Sequence, residues 1–367
     1  FMKQLGSGGS RQFMSVPIAL QLTQPIFGVN NLKWNRRIEP VRYEEAKAAF
    51  ITATETVTMN AITFFFNLLS AKETLGTARQ NQVNADRLYE VAGAKRKMGQ
   101  ISENELLQLK LAALKARAAV TDAESNLNAH MFRLRSFLAI GNDLILEPVV
   151  PESAPNLKME YNQVLNKALE RNSFAHNIRR RQLEAEYEVA TARGNLRSVD
   201  LFANVGYTGL NKDLSPAYHN LLDNQVVEVG VKIPILDWGK RRGKVRVAKS
   251  NRDVTLSKIK KEQMDFDQDI FLLVEHFNNQ AQQLSIANEA DKIAQQRYKT
   301  SVETFLIGKI NTLDLNDAQS SKDDARQKHI NELYWYWYYY YQLRSLTLWD
   351  FQNNTPLEAD FEDIVKK

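Results

Sequence analysis

The sequence VVEVGVKIPILDWG, from Val226 to Gly239, decides the fold. Apolar and polar residues alternate along it, which predicts a strand with one apolar face. The apolar face holds Val227, Val229, Val231 and Ile233, and the other face holds Glu228, Gly230 and Lys232. Pro234 and a glycine turn end the strand, and a long helical pattern follows. A strand of about ten residues suits a wall between lipid and water, and it equally suits a half-buried soluble strand.

The same pattern occurs a second time, in SVPIALQLTQPIFG at Ser15–Gly28. There Ile18, Leu20 and Leu22 alternate with Ala19, Gln21 and Thr23, and the strand again ends at a proline, Pro25. Pro25 and Pro234 are 209 residues apart, and the same offset pairs Gly99 with Gly308, Ile101 with Ile310, Leu106 with Leu315 and Leu134–Ser136 with Leu343–Ser345. A constant offset indicates a duplication. The chain is therefore predicted to hold two copies of a module made of a strand, a long helix, a turn and another long helix.

Composition favours long helices and excludes several classes of protein. The chain has 367 residues but only 15 Gly and 9 Pro, and helix-favouring residues fill the tracts between them. Mean hydropathy is −0.42, and no apolar run reaches the ~20 residues of a spanning helix, so a membrane crossing would take the form of a barrel. The net charge of +5 is mild, with basic and acidic residues interleaved, and no nucleic-acid partner is predicted. The chain has no cysteine, which excludes disulfides and thiolate sites.

The N-terminal part predicts a loop, a strand and a long helix. Residues 1–11, which contain GSGGS, are expected to form a flexible loop. Glu39-Pro40 suits a first helical turn. The helix is predicted to run from there to about Met98, roughly 80 Å at 1.5 Å per residue.

A turn and a second helix complete the first copy. Gly99-Gln100-Ile101 turns the chain, and Ser102 with Glu105 forms a capping box. The second helix is predicted to end near Ala139, with Gly141 as its stop.

The segment between the copies predicts coil, two helices and another strand. Coil is expected over 142–156, helices over Tyr161–Glu170 and Phe174–Arg193, and a strand over Val199–Leu210. One face of this strand would hold Leu201, Ala203, Val205 and Tyr207, and the other Asp200, Asn204, Gly206 and Thr208. Subtracting the repeat offset places the matching strand of the first copy before Phe1. That first strand is therefore expected to be absent from this chain, and an intact protein would have two strands per copy.

The second copy repeats the helical hairpin. A helix is predicted from about Lys240 to Leu306, a turn at Gly308-Lys309-Ile310, a cap by Asn311 and Asp314, and a last helix to about Leu348. The tail from Gln352 onward is expected to be polar. The aromatic run YWYWYYYY at Tyr334–Tyr341 is expected to pack several helices together with its hydroxyls reaching water. The alternative is a platform for a cofactor or a carbohydrate.

Several segments together resemble the TolC-like outer-membrane efflux proteins (outer membrane factors) of Gram-negative bacteria. They are QPIF at Gln24–Phe27, IPILDWGKRR at Ile233–Arg242, both helix-hairpin turns, LDLNDAQ at Leu313–Gln319 and ALERNSF at Ala168–Phe174. No single segment is specific, but all of them occur in the family's order and with its internal duplication. The resemblance covers essentially the whole chain.

The resemblance implies a mainly α fold with a transmembrane β-barrel. Three chains would build a 12-stranded barrel in the outer membrane and a coiled-coil-like α-helical tunnel through the periplasm, because open strand edges are not tolerated in lipid. The lumen would be lined by Thr23, Asp200, Asn204, Glu228 and Lys232. The implied partners are two further copies of the chain, a periplasmic adaptor, an inner-membrane pump and outer-membrane lipid.

Pro25, Pro234 and Gly239 are the predicted strand–helix junction residues. The expected domains are 1–33 (barrel strand and extracellular loop), 34–141 (first tunnel hairpin), 142–197 (equatorial segment), 198–239 (second barrel hairpin), 240–349 (second tunnel hairpin) and 350–367 (equatorial tail).

The resemblance points to a gate beside the second turn. Family members carry acidic residues there on the tunnel side, and the matching positions are Asp314 and Asp317, one helical turn apart. Six carboxylates from three chains would form a ring that favours cations. The alternative is that Asp314 only caps its helix and Asp317 is a solvated surface charge. In the first copy, Glu105 and Gln108 occupy the positions that correspond to Asp314 and Asp317. In some relatives an acid at this position pairs with an arginine at the second turn, and that pair holds the mouth shut. Ile310 stands at the position of this arginine, so the neighbouring Lys309 is the candidate to replace it.

The two turns are the expected docking sites for the adaptor. They comprise Gly99, Gln100, Ile101 and Ser102, and Gly308, Lys309, Ile310 and Asn311. Glycine is needed because the hairpin requires a left-handed residue, and an exposed isoleucine beside it is what a partner could bury. Each turn is equally explained as a plain helix-hairpin connection.

The sequence contains no motif that is typical of an enzyme active site. The five histidines include no pair at i, i+4, and no phosphate loop or nucleophile elbow occurs. No metal or cofactor is predicted. The leading hypothesis is a passive exit duct of a tripartite efflux pump. The alternatives are a duct for type I protein secretion and a soluble helical-hairpin scaffold, and the sequence does not define the cargo.

Overall fold

The computed structural model describes the backbone of residues 2–5, 11–141, 144–150, 154–155, 157–196, 199–211, 225–232 and 237–361. At residues 2–5, 11–18, 207–211 and 225–226, only the backbone is described. The chain divides into two compact units, unit 1 (Phe1–Tyr43 and Asn177–Gln263) and unit 2 (Glu44–His176 and Met264–Lys367). The predicted domains divide the chain differently, into six segments, and stay a prediction.

Long helices dominate the chain, as the sequence predicts. In order, the elements are β1 (Met2–Leu5), β2 (Arg11–Pro25), α1 (Asn31–Lys97), α2 (Glu103–Leu138), α3 (Tyr161–Arg171), α4 (Ser173–Leu196), β3 (Asp200–Asn211), β4 (Gln225–Lys232), α5 (Lys240–Leu306), α6 (Thr312–Thr347), β5 (Trp349–Asp350) and β6 (Thr355–Pro356). The two copies match closely, since α1 and α5 have 67 residues each and α2 and α6 have 36 each. This equality confirms the duplicated hairpin.

Unit 1 contains a four-stranded antiparallel sheet in the order β1-β2-β3-β4. Its register aligns Leu20 with Val205 and Val205 with Val227. The β2–β3 register shifts between Ser15 and Ile18, where Pro17 has no N–H to donate to a partner strand. The predicted pairing of the third strand with the strand at Val226 is confirmed.

The first strand is a correction to the sequence analysis. Met2–Leu5 pairs antiparallel with Arg11–Met14, so these residues are a strand and not a loop, and a first strand is present in the chain. Four residues are too few to show a clear alternation, and pairing with β2 supplies the backbone hydrogen bonds that the local sequence does not suggest. The glycine-rich residues 6–10 lie outside the described residues.

One face of the sheet is apolar and exposed. It carries Leu20, Leu22, Leu201, Val205, Val227, Val229 and Val231, which are between 41 % and 75 % exposed. The register joins them into cross-strand rows, one of which is Leu22–Ala203–Val229. Contiguous exposed aliphatic side chains of this kind mark a surface that is covered by another apolar phase. The predicted apolar face is confirmed where the side chains are described, and Ile18, Tyr207 and Ile233 lie outside that description.

The opposite face is mostly polar, although the row Ala19–Gly206–Val226 also belongs to it. Its rows include Gln21–Asn204–Glu228 and Pro25–Asp200–Lys232. Phe202 interrupts them, and its ring lies so close to Gly230 that a Cβ there would sit 2.5 Å from Phe202 Cζ. Gly230 is therefore required by the close approach of an aromatic ring.

The start of α1 differs from the prediction. The helix begins at Asn31 rather than at Pro40, and the Asn30 side chain accepts a hydrogen bond of 2.9 Å from the Lys33 N–H. Asparagine is a strong N-cap because its oxygen satisfies a free N–H of the first turn. Pro40 consequently lies inside the helix, at a position where it removes one backbone hydrogen bond.

The predicted stop of α2 at Gly141 is also wrong. The left-handed residue that ends the helix is Ala139, with φ of 52°. Leu348 ends α6 in the same way, with φ of 49°, 209 residues later. In both copies the helix therefore ends at a left-handed residue that is not glycine, which raises the conformational energy of the cap.

The core of unit 2 joins α1, α3, α5 and α6 around the aromatic run. Tyr336 and Tyr340 are buried, and the Phe277 and Tyr336 rings lie 5.1 Å apart. The predicted packing role is confirmed, but these two hydroxyls do not reach water. Tyr340 Oη donates to Asp350 Oδ1 at 2.7 Å, and Tyr336 Oη donates to the Pro155 carbonyl. Burial raises the pKa of Tyr336 to about 12.

The C-terminal part is more ordered than a polar tail. Strands β5 and β6 pair, and Asp350 accepts hydrogen bonds from the Gln352 and Asn353 N–H groups at 3.0 and 3.1 Å. Asp350 thus closes the turn between the two strands. Residues 362–367 lie outside the described part of the chain.

Candidate functional site

The two helix-hairpin turns have the same backbone. Gly99 and Gly308 are left-handed, with φ of 72° and 76°. In the first turn Gln100 N–H donates to Lys95 O at 2.9 Å, and in the second Lys309 N–H donates to Thr304 O at 3.1 Å. These bonds satisfy carbonyls at the ends of α1 and α5. The prediction of two equivalent glycine turns is confirmed.

The caps after the two turns are not equivalent. At the first, Glu105 N–H donates to Ser102 Oγ and Ser102 N–H donates to Glu105 Oε2, which completes a capping box. At the second, Asp314 N–H donates to Asn311 Oδ1 at 2.9 Å. The Ser102 backbone N–H and its hydroxyl hold the pKa of Glu105 below its usual value. Glu105 therefore caps α2 and stabilises its own turn, and this structural role is the alternative to its predicted role in a gate.

The two predicted gate carboxylates have different surroundings. Arg297 Nη2 lies 2.6 Å from Asp317 Oδ2, and Arg297 Nη1 donates to Ser321 Oγ at 3.2 Å. Asp314 instead lines a cavity of about 740 Å³ between the two turns. Thr312 of the second hairpin, which also lines the cavity, donates from Oγ1 to Gln108 Oε1 of the first hairpin at 3.3 Å. The gate role of Asp314, Asp317, Glu105 and Lys309 stays a prediction.

The cavity brings both predicted docking turns together. Its lining includes Gln100 and Ile101 from the first turn and Gly308, Lys309, Ile310 and Asn311 from the second. Lys95 extends beneath it, with Nζ 3.3 Å from Leu306 O. The first and second hairpins therefore present one shared surface, in which Ser102 and Gly99 complete the first turn.

The isoleucines of the turns are not the exposed apolar residues. Ile101 and Ile310 pack against a cluster that includes Phe305 and Leu315. The exposed apolar side chains next to the turns are Met98, Ile307 and Leu313, which are 64 %, 68 % and 73 % exposed. The two hairpins thus partly bury both isoleucines, which are less exposed than expected, and their role in docking stays a prediction.

A partly buried ionic network that the sequence does not predict, centred on the buried Asp291, links α1, α5 and α6. Arg326 Nη2 lies 2.6 Å from Glu73 Oε2, and its Nη1 lies 3.1 Å from Asp291 Oδ2. Asp291 is only 3 % exposed and also accepts from Gln295 Nε2 at 2.8 Å. His329 Nδ1 lies 3.5 Å from the same carboxylate, and burial is the main cause that lowers its pKa. No local signal could reveal these contacts, since Arg326 and Glu73 are 253 residues apart.

The strand–helix junction before α5 is closed by Asp237. Its carboxylate accepts from the Gly239 N–H at 3.1 Å and the Arg241 N–H at 3.0 Å. These bonds hold the pKa of Asp237 below its usual value. Gly239 is left-handed as expected, with φ of 79°, and Trp238 is left-handed too, with φ of 51°. Pro25 ends β2 as predicted, and Pro234 lies outside the described residues.

The duplicated hairpins and the two-faced sheet define a class, the outer-membrane channels. The chain resembles CusC, solved in a study of folding and transmembrane channel formation (TM-score 0.73, 16 % identity, 94 % of this chain and 80 % of that one). It also resembles the Campylobacter jejuni CmeC outer membrane channel (TM-score 0.69, 18 % identity, 97 % and 74 %). VceC of Vibrio cholerae is a third likeness (TM-score 0.68, 15 % identity, 94 % and 80 %). At these identities the likeness shows a shared fold.

The chain belongs to the outer membrane efflux protein family, whose model matches residues 2–139 and 164–347. No curated protein matched the chain. Membership places the protein in the outer membrane as a component of efflux, and proteins of this family are channels rather than enzymes. The predicted family, location and efflux role are confirmed.

Two negative findings complete the description. Within the described residues, no helix combines the length and apolarity needed to cross a membrane. The same part of the chain contains no cluster of three or more His, Asp or Glu that could hold a metal ion.

Proposed function

We propose that three copies of this chain form a passive exit duct for small molecules, with a barrel of three four-stranded sheets. The observation that carries the proposal is the sheet, whose apolar face is exposed in continuous rows while its opposite face is polar. Such a wall separates lipid from a water-filled lumen. Its outer strands β1 and β4 have free edges that lipid does not tolerate, so copies of the chain close the barrel.

The helical hairpins supply the periplasmic part of this duct and its partners. The shared surface of the two turns, with Met98, Ile307 and Leu313 exposed, supports docking of an adaptor that connects the duct to an inner-membrane pump. The buried network around Asp291 fixes α1 against α5 and α6, so each protomer brings a rigid helical wall. The pump supplies the energy, and the duct itself is passive.

The carboxylates of Asp314 and Asp317 set the charge of the mouth. They follow the second turn, and Asp314 faces the cavity between the turns. Three copies would bring six carboxylates together, which attracts cations and repels anions. Arg297 compensates part of that charge.

Conductance in a planar bilayer tests the proposal. The protein is expected to insert and give discrete steps with cation preference, and the Asp314→Asn/Asp317→Asn variant is expected to lose that preference. The matched control, Asp122→Asn/Glu170→Gln, removes two exposed carboxylates from α2 and α3 and is expected to behave as the wild type. Steps that both variants leave unchanged would contradict the gate, and absence of insertion would contradict the duct.

A further inference from the structure

Charge is distributed very unevenly between the two units. Unit 1 carries 23 basic and 11 acidic residues, a net charge of +12, while unit 2 carries 25 basic and 32 acidic residues, a net charge of −7. Together they give the mild +5 of the whole chain. Basic and acidic residues are interleaved along the chain as predicted, but in the unit that holds the sheet the basic ones outnumber the acidic ones about two to one. A local excess of this size sets up a strong positive potential.

Three helix ends meet beside the sheet in unit 1. Tyr187 Oη of α4 donates to Asn31 Oδ1 of α1 at 3.0 Å, and Arg241 Nη1 of α5 donates to the Asn195 carbonyl of α4 at 3.0 Å. The Ile26 N–H continues the β2–β3 pairing by donating to Val199 O at 2.8 Å. The first turns of α1 and α5 are thus fixed against α4, close to the ends of the strands.

Exposed apolar side chains surround this meeting point. Trp238, directly before α5, is 92 % exposed, and Leu32, in the first turn of α1, is 81 % exposed. Ile26 and Phe27, just after β2, are also more than half exposed. Tryptophan and other apolar side chains in such positions are typical of the boundary between acyl chains and headgroups.

Basic side chains follow immediately on the same helices. Those that are exposed are Lys33, Arg36, Arg37, Arg193, Lys240, Arg242, Lys244 and Arg246. Segments 26–37, 193–196 and 237–246 contain one acidic residue, Asp237, and its carboxylate is engaged by the Gly239 and Arg241 N–H groups. Two acidic side chains lie nearby, Glu39, which pairs with Arg42, and Glu188, which lines a cavity with Lys244, so basic side chains outnumber acidic ones around the helix starts.

We infer that this basic collar, defined by Lys33, Arg36, Arg37, Arg193, Lys240, Arg242, Lys244 and Arg246, binds anionic phospholipid headgroups. It lies at the junctions between β2 and α1, α4 and β3, and β4 and α5, and its charge complements phosphatidylglycerol in the leaflet that the helices leave. Trp238 and Leu32 enter the acyl boundary, while the lysines and arginines contact phosphates. A soluble phosphate would explain the charges but not the exposed tryptophan and leucine beside them. The inference rests on the outer-membrane location of the family.

Thermal unfolding of the complete protein in non-ionic detergent tests the inference. Phosphatidylglycerol added to the micelles is expected to raise the unfolding temperature more than equal amounts of phosphatidylcholine or inorganic phosphate. The Lys240→Gln/Arg242→Gln/Lys244→Gln variant is expected to lose most of that difference, with affinity for phosphatidylglycerol reduced about fivefold per charge removed. The control Lys258→Gln/Lys260→Gln/Lys261→Gln removes the same charge from α5 about 27 Å further along the helix and is expected to keep the full shift.

The outcomes separate the possible sources of an effect. Equal shifts in the wild type and the Lys240 triple variant would overturn the inference, and so would equal stabilisation by inorganic phosphate or by phosphatidylcholine. Loss of the shift in both triple variants would show a general charge effect and would also overturn it. Failure of the duct itself would appear as absence of insertion in a bilayer, which this measurement does not require.

Discussion

Arg297 and Asp317 form an ion pair between α5 and α6, with Arg297 Nη2 2.6 Å from Asp317 Oδ2. The side chains are 52 % and 64 % exposed, so solvent screens the pair and its effect on stability is small. Because the pair lies close to the second turn, it affects the charge at the proposed mouth of the duct. One of the two proposed gate carboxylates is partly neutralised within its own protomer, so the charge of the mouth depends on a residue of the neighbouring helix.

Arg297→Gln is expected to increase the cation preference of the duct, because the Asp317 charge is no longer compensated. The free energy of unfolding is expected to change by less than about 1 kcal/mol, as for other exposed pairs. The control Arg117→Gln removes a similar pair, Arg117–Asp86, whose atoms lie 2.9 Å apart. Reversal potentials in a salt gradient measure the preference. Identical values for the two variants would contradict a role of Arg297 at the mouth.

Arg326→Met is expected to destabilise the protein strongly. It leaves the Asp291 carboxylate, which is 3 % exposed, without its cation. Breaking a buried ion pair in this way costs about 3–5 kcal/mol. Urea unfolding followed by circular dichroism measures the loss. Arg79→Met, which removes an exposed pair with Glu124, is expected to cost less than about 1 kcal/mol, and a similar small loss in Arg326→Met would contradict the assigned network.

Alanine is expected to act in opposite directions at two glycines. At Gly308 the left-handed φ of 76° penalises a Cβ, so Gly308→Ala is expected to lose about 1–2 kcal/mol. At Gly76, inside α1, an added Cβ meets no atom within 4 Å, and Gly76→Ala is expected to gain about 0.5–1 kcal/mol. Unfolding temperatures measured side by side test this. A loss at both positions, or at neither, would contradict the assignment of the turn.

His329 is expected to make stability depend on pH. Burial, opposed in part by Asp291, lowers its pKa from the usual value of 6.5, so the unfolded chain binds a proton that the folded chain does not. Stability is therefore full above pH 6.5 and is lost as the pH falls from 6.5 towards the lowered pKa. His329→Gln is expected to flatten this slope. Unfolding temperatures across the range measure it, and an unchanged slope in the variant would contradict the burial of His329.

His130 provides the comparison for this experiment. Burial lowers its pKa as well, so it contributes a slope of the same sign from α2. His130→Gln is expected to reduce the slope while leaving the part due to His329. A slope that disappears in His130→Gln alone would assign the whole effect to α2.

The sequence predicts those features that repeat over short distances. Alternation at Val227, Val229 and Val231 is enough to assign the faces of β4, because the period of a strand is two. The turns at Gly99 and Gly308 are equally local, since glycine adopts a left-handed φ without strain. The duplication strengthens both assignments by showing each of them twice.

The features that the sequence does not predict depend on distant partners or on tolerated strain. The strand at Met2–Leu5 is stabilised by pairing with β2, not by its own pattern. Ala139, Leu348 and Trp238 occupy left-handed positions where local rules favour glycine. The contacts of Arg326 join residues from three helices, and the basic collar forms only when the starts of α1 and α5 meet the end of α4.

Single cysteines in the sheet test the central claim most directly, because the chain has no cysteine of its own. Leu22→Cys and Val229→Cys lie on the apolar face, and Gln21→Cys and Glu228→Cys lie on the polar face of the same strands. In protein reconstituted into lipid vesicles, a water-soluble maleimide is expected to label the polar-face variants, and a lipid-dissolved maleimide the apolar-face variants. Equal labelling of both faces by the water-soluble reagent would contradict a wall between lipid and a water-filled lumen.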